Sequence, residues 1–179
     1  MNSPLILPVR GFSPQLGSNN WVAPNATIVG NVCSGTDCTF WFQSVVRADV
    51  HEIRIGNRVN IQDGAILHGT FEKAGLYIGS DVSLGHRAMV HGCTIHDRVL
   101  VGMGAIVMDH ALIESNCLVA AGALVPERAH LKSGWIYAGI PAKPLRELKP
   151  EEIETILLGT VSRYPKYADW FRFPEKTDL

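Results

Sequence analysis

The chain has 179 residues, of which 46% are hydrophobic and 18% charged, and its 16 basic and 17 acidic residues leave a formal charge of -1. That balance describes one folded unit with a core, and it excludes a disordered segment or a positive field that would recommend nucleic acid or an anionic membrane surface as a partner. Cys33, Cys38, Cys93 and Cys117 show neither CxxC spacing nor the density of a secreted disulfide scaffold, so reduced thiols are expected.

The N-terminal lead-in, residues 1–20, opens MNSPLILPVRGF, with an apolar stretch of three residues between two prolines. Such a stretch is too short for a signal h-region or a membrane span, and the expectation is a cytoplasmic protein with no membrane partner. From there one period dominates. Val22, Ile28, Ser34, Phe40 and Val46 recur at steps of six, followed by Ile55, Ile61 and Leu67, then Ile78, Leu84 and Val90. An unbroken series then runs from Ile95 through Val101, Val107, Ile113, Val119, Val125 and Leu131 to Tyr137. Four places after each member of that last series stands a second, mostly small row: Val99, Ala105, Ala111, Cys117, Ala123, Ala129, Trp135 and Pro141.

Six-residue repeats of this kind specify a left-handed parallel β-helix, three short strands to each triangular turn of about eighteen residues, with the aliphatic row stacked inside. A β-sandwich would instead alternate apolar and polar residues with period two. The steps from Val46 to Ile55 and from Leu67 to Ile78 are 9 and 11, and that from Val90 to Ile95 is 5, so two protruding loops and one deletion are expected. Loops on a rigid coil are where sites tend to be built.

The coil accounts for residues 1–145, and residues 146–179 read as a C-terminal helix and aromatic arm, giving an all-β class with one helical appendage. Pro150 opens EEIETILLG, with acids in the first turn and Ile153, Ile156 and Leu157 spaced for one helical face. Pro165, among Tyr164, Tyr167, Trp170, Phe171 and Phe173, is expected to break this helix and start a second short helix or an arm.

Three of the seven histidines fall in a related register. His68 follows the inward Leu67 and His91 follows the inward Val90, and their separation of 23 equals one 18-residue turn plus the five extra residues of the intervening loop. They should stack on adjacent rungs about 4.8 Å apart, close enough to share a metal at about 2.0 to 2.1 Å from each nitrogen. His86 lies one hexad earlier, on a different face of the prism. A neighbouring subunit in a cyclic homotrimer can bring its His86 to the His68 and His91 of the next chain, and three His ligands with an open fourth position suit a catalytic zinc. His51, His96, His110 and His130 have no such partners.

The segments VVRADVHEIRIG, NIQDGAILHG and IGSDVSLGHRAMVHGCTI resemble the γ-class carbonic anhydrases, a family of trimeric left-handed β-helices, and the resemblance runs from about residue 12 to about residue 145. It implies Zn2+, or alternatively Fe2+, bound by His68 and His91 of one subunit and His86 of its neighbour, and reversible hydration of CO2 to bicarbonate by metal-bound hydroxide. It also implies a trimer-seam or supporting role for Arg47, paired with Asp49 or Asp63, and a role for Gln62 in orienting the reacting water. Tyr164 matches a tyrosine that lines the pocket in relatives. The chain departs from the family pattern at Val50 and Phe71, where glutamates serving as proton shuttles are expected. Glu72, beside the second position, is the candidate proton relay, and slow turnover is expected. Two further function classes suit the coil: a hexapeptide-repeat acyltransferase or thioesterase, and a non-catalytic metal-binding trimeric scaffold. The three-histidine register argues against acyl transfer, which needs no metal cage, and the missing glutamates keep the scaffold reading open.

Overall fold

The computed structural model describes residues 3–175. Its body is a parallel β-helix with three faces. The first face carries Leu5–Leu7, the beginnings of Thr27–Ser34 and Val45–Ile55, then Ile66–His68, Met89–His91, Ile106–Val107 and Leu124–Val125. The second carries Gln15–Leu16, the ends of the same two long strands, then Leu76–Ile78, Thr94–Ile95, Leu112–Ile113 and His130–Leu131. The third runs from Trp21–Val22 through Thr39–Phe40, Asn60–Ile61, Ser83–Leu84, Val99–Val101 and Cys117–Val119 to Trp135–Ala138.

The register follows the hexad. Val46 pairs with Leu67, Leu67 with Val90, and Val90 with Val107, so the aliphatic row is stacked rung on rung. Every member of that row except Val22 is buried. Stacked branched side chains removed from water are the main stabilising contribution of such a coil, at roughly 25 cal/mol per Å² of apolar surface. The small row fits against the tight turns, but Pro141 is exposed and outside it. The coil has ended by then, and Lys143–Glu147 turns back antiparallel on Trp135–Ala138.

The chain turns at many of its corners through a residue in the left-handed region. The corner between the second and third faces uses Asn19, Asp37, Arg58, Asp81, Arg98 and Asn116, all with φ between 53° and 60°. Asn and Asp tolerate that conformation best, and the arginines there are held by the rigid rungs on either side.

All three irregular steps of the hexad fall at the corner between the first and second faces. Only one of the two expected loops protrudes, at residues 69–75, where Thr70 and Ala74 close a turn. The three extra residues between Val46 and Ile55 stay in a continuous strand, Val45–Ile55, which rounds the corner with a register shift opposite Gly30 and Val32. A bulge absorbs a small insertion without leaving the sheet.

Pro150–Glu152 begins the C-terminal helix, a π-helical stretch Ile153–Leu158 widens it, and Gly159–Arg172 continues it. Pro165 lies inside and does not break it, contrary to the sequence expectation. A proline there costs about 3 kcal/mol, and burial offsets that cost. Leu157, Val161 and Ala168 are buried, the ring of Tyr164 meets Trp41 at 5.2 Å, and Phe171 meets Trp21 at 5.5 Å and Phe42 at 5.2 Å. The helix therefore lies along the third face, from Ile136 at the last rung to Trp21 near the first. No helix among the described residues is long and apolar enough to cross a membrane.

Candidate metal centre

His68 ends its strand on the first face and His91 ends the next one, directly opposite in the parallel ladder. Nδ1 of His68 lies 3.1 Å from Nε2 of His91. Each ring has a carboxylate on its other nitrogen: Oδ1 of Asp49 is 3.0 Å from His68 Nε2, and Oδ1 of Asp109 meets His91 Nδ1. Burial works against ionising both carboxyls. Hydrogen bonds from His68 and Arg47 to Asp49, and from Thr70 and His91 to Asp109, outweigh it and hold both below the ordinary aspartate range. Burial, only partly opposed by Asp49, pushes the pKa of His68 down and keeps its ring neutral.

These contacts decide the tautomers. When both rings are neutral, each ionised carboxylate takes the N–H of its ring, Nε2 of His68 and Nδ1 of His91, and the two remaining lone pairs face each other. Their mutual repulsion is relieved by a cation between them. Two nitrogens bound tetrahedrally at 2.0 to 2.1 Å are about 3.3 Å apart, close to the 3.1 Å found here. Histidines backed by carboxylates are the usual surroundings of a bound metal.

His86 stands at the corner after Ser83–Leu84, on a different side of the coil, and no contact joins it to the other two histidines. Among the described residues of one chain no three metal-binding side chains converge. His86 is nonetheless prepared in the same manner: Nδ1 lies 2.9 Å from Oδ2 of Asp63, which turns Nε2 outward, 3.5 Å from the Tyr164 hydroxyl. Burial and the nearby Asp63 charge push the Tyr164 phenol up to about 12, so it stays protonated. Gln62 is buried beneath His86. Its Oε1 accepts from the His86 backbone N–H at 3.1 Å and its Nε2 donates to Asn60 at 3.0 Å. A cavity of about 370 Å³ lies beside His86, walled by Leu100, Leu118, Met103, Thr160 and Tyr164.

The sequence-predicted residues thus form two half-sites, one of His68, His91, Asp49 and Arg47 and one of His86, Asp63, Gln62 and Tyr164. Within its own chain Arg47 pairs with Asp49, because residues two apart on a strand point to the same side. Glu72 lies exposed on the inserted loop and lines a small cavity with Asp49, Arg10 and Glu52, without a contact to either imidazole. Asp109 and Thr70 escaped the sequence reading. The available signal was the deletion after Val90: with Val90 opposite Val107, Met108 stands opposite His91 and Asp109 one place beyond it.

Residues 92–127 match the bacterial transferase hexapeptide family model of six repeats. The chain is similar to protein YrdA of Escherichia coli, 40% identical over 93% of this chain and 94% of that protein. It is similar to a carbonic anhydrase of Geobacillus kaustophilus, 38% identical over 83% and 81%. Mitochondrial gamma carbonic anhydrase 2 of Arabidopsis thaliana is 38% identical over 79% of this chain and 52% of the plant protein. Among solved structures, a hexapeptide transferase family protein from Anaplasma phagocytophilum superposes with a TM-score of 0.85 at 36% identity, covering 92% of this chain and 96% of that one. Hexad, coil and these likenesses agree, and the chain belongs to the γ-class carbonic anhydrase-like family of hexapeptide-repeat proteins.

Proposed function

We propose that this protein is a metal-dependent γ-type carbonic anhydrase that reversibly hydrates CO2 to bicarbonate. In this reading it works as a homotrimer, with Zn2+ or Fe2+ held by His68 and His91 of one subunit and His86 of the next. The observation that carries it is the pair of carboxylate-backed imidazoles whose facing nitrogens lie 3.1 Å apart. The third prepared histidine lies out of reach in the same chain.

The surface around the half-site supports a trimer. Along the first face the outward row Val45, Ile66, Met89, Ile106 and Leu124 forms an apolar column beside the histidines. Ile66 and Ile106 are 38% and 43% exposed, and Met108 is 41% exposed. An apolar strip next to an incomplete site is a surface for a second copy to cover, and the apolar cavity beside His86 is a matching receptor.

Bound there, the ion supplies an acidified water and a Lewis acid for the addition to CO2. The chain's own groups do the rest. Asp49, Asp109 and Asp63 fix the ring orientations of the histidines, Gln62 anchors the backbone of His86, and the apolar walls exclude bulk water. Glu72 is the nearest carboxylate on the inserted loop suited to carry a proton out. Three of the four thiols are buried, and all four are free, which supports a reducing compartment such as the cytoplasm.

A second reading, acyl transfer, is favoured by the transferase relative and by the size of the cavity beside His86. The deciding experiment is metal content of anaerobically purified protein with stopped-flow CO2 hydration of the same sample and of His91→Ala. About one zinc or iron per chain, with hydration lost in the variant, supports the proposal. Metal-free trimers return acyl transfer to first place, and metal without hydration points to a scaffold.

A further inference from the structure

We infer that Asp109, locked by Thr70, is the positioning residue that fixes the His91 ring for metal binding. The inference rests on the metal reading above, and it comes from where the irregularities of the coil meet.

The rung carrying His91 is one residue short. Val90 still pairs with Val107, so Asp109 lies one place beyond the residue opposite His91 and sits across the corner from Gly92. Gly92 has φ +46°, and a Cβ there would lie 2.5 Å from Oδ1 of Asp109 and 2.7 Å from Cβ of Ala74. The missing side chain is what allows the carboxylate to reach back over the corner to His91 Nδ1. From the other side, the loop inserted after His68 brings Thr70, whose hydroxyl donates to Oδ2 of Asp109. Deletion and insertion therefore converge on one carboxylate, and each of its oxygens has a single task.

That arrangement prevents the carboxyl from swinging away and holds His91 as the Nδ1–H tautomer, with Nε2 aimed at Nδ1 of His68. The two imidazoles are not equivalent. Asp49, behind His68, shares its charge with the guanidinium of Arg47, whereas Asp109 has the neutral Thr70 as its second partner. More negative charge is left for His91, which becomes the more strongly electron-donating of the two ligands.

The test is long-range 1H–15N correlation of the histidine rings in metal-free full-length protein, together with zinc affinity by chelator competition. Wild type should show His91 as Nδ1–H. In Asp109→Ala that tautomer should give way while His68 keeps Nε2–H, and the zinc dissociation constant should rise about 10- to 100-fold. Thr70→Val should fall between. Gly92→Ala, which keeps Asp109 but sets a methyl against it, is the second variant should Asp109→Ala fail to fold, and it should reproduce the tautomer change. His91 found as Nε2–H in wild type, or zinc held as tightly by Asp109→Ala as by wild type, overturns the inference. Failure of wild type to bind zinc would sink the proposed activity instead, and the tautomer measurement would still decide whether Asp109 fixes the ring.

Discussion

Asp63 takes one ring nitrogen of His86 at 2.9 Å, which leaves Nε2, 3.5 Å from the Tyr164 hydroxyl, as the nitrogen available to a metal. A subunit lacking His86 and a subunit lacking His91 are then defective in different halves of the same site. Each single variant, His86→Ala or His91→Ala, should purify without metal. Co-expressed, the two should form mixed trimers in which His68 and His91 of one subunit meet His86 of the other, and part of the metal content should return. Metal analysis of the tagged mixed species reads the outcome, and no recovery would mean that the histidines do not act across a subunit boundary.

Leu84 occupies the middle rung of the third face, between Ile61 and Val101, and has no accessible surface. Leu84→Ala removes buried methyl groups where the ladders on both sides prevent collapse, and should destabilise the protein by about 2 to 5 kcal/mol. Urea unfolding at constant trimer concentration measures it. Met103→Ala, at a side chain 58% exposed in the single chain, should cost far less unless a second copy covers it.

Glu152 accepts both terminal nitrogens of Arg146, at 2.7 and 2.8 Å, and the Lys149 backbone N–H at 2.9 Å. The Arg146 hydrogen bonds, then the one from Lys149, lower its carboxyl to about 2. An unfolded glutamate titrates near 4.3, so this carboxyl binds a proton less readily in the folded state. Its stabilisation is complete above about pH 4.3 and is lost as the pH falls from there towards about 2. The start of the C-terminal helix should loosen over that window, read by circular dichroism. Glu152→Gln should lose this step, and an unchanged acid transition in the variant would refute the assignment.

Burial pushes the thiols of Cys38 and Cys117 up to about 11 and that of Cys93 higher still. Cys33 is part-exposed beside Gln15. Native protein should therefore consume about one equivalent of a thiol reagent at neutral pH and about four once unfolded, since thiolate supply governs the rate. More than one fast equivalent in the native state would show that the coil opens on the timescale of the assay.

Much of this molecule is legible in the sequence because each residue of the aliphatic row has one environment, the inside of a prism, and the period repeats it without tertiary context. Leu67 and Val90 also carry the register that sets His68 opposite His91. Pro165 was read wrongly because local propensity opposes a helix there, while the aromatic contacts of Tyr164 and Phe171 that override it are non-local. Nor does the step of 9 between Val46 and Ile55 reveal whether its extra residues leave the sheet or bend it, since a bulge and a loop have the same length. Asp109 was missed for a related reason. Its partnership with His91 and Thr70 depends on a deletion and an insertion meeting at one corner, and neither alone points to a carboxylate.

The parallel ladders have one more consequence. Each rung hydrogen-bonds only to the rungs directly above and below it, and both half-sites sit in the middle of the stack. The rungs beyond Leu112 act as ballast: they keep the central rungs from fraying and give the C-terminal helix a track to lie on. A whole turn could be spliced in or out there without moving His68 against His91, so the register of that pair is independent of the coil's length, whereas the wall that Leu118 and Tyr164 give the cavity beside His86 is not.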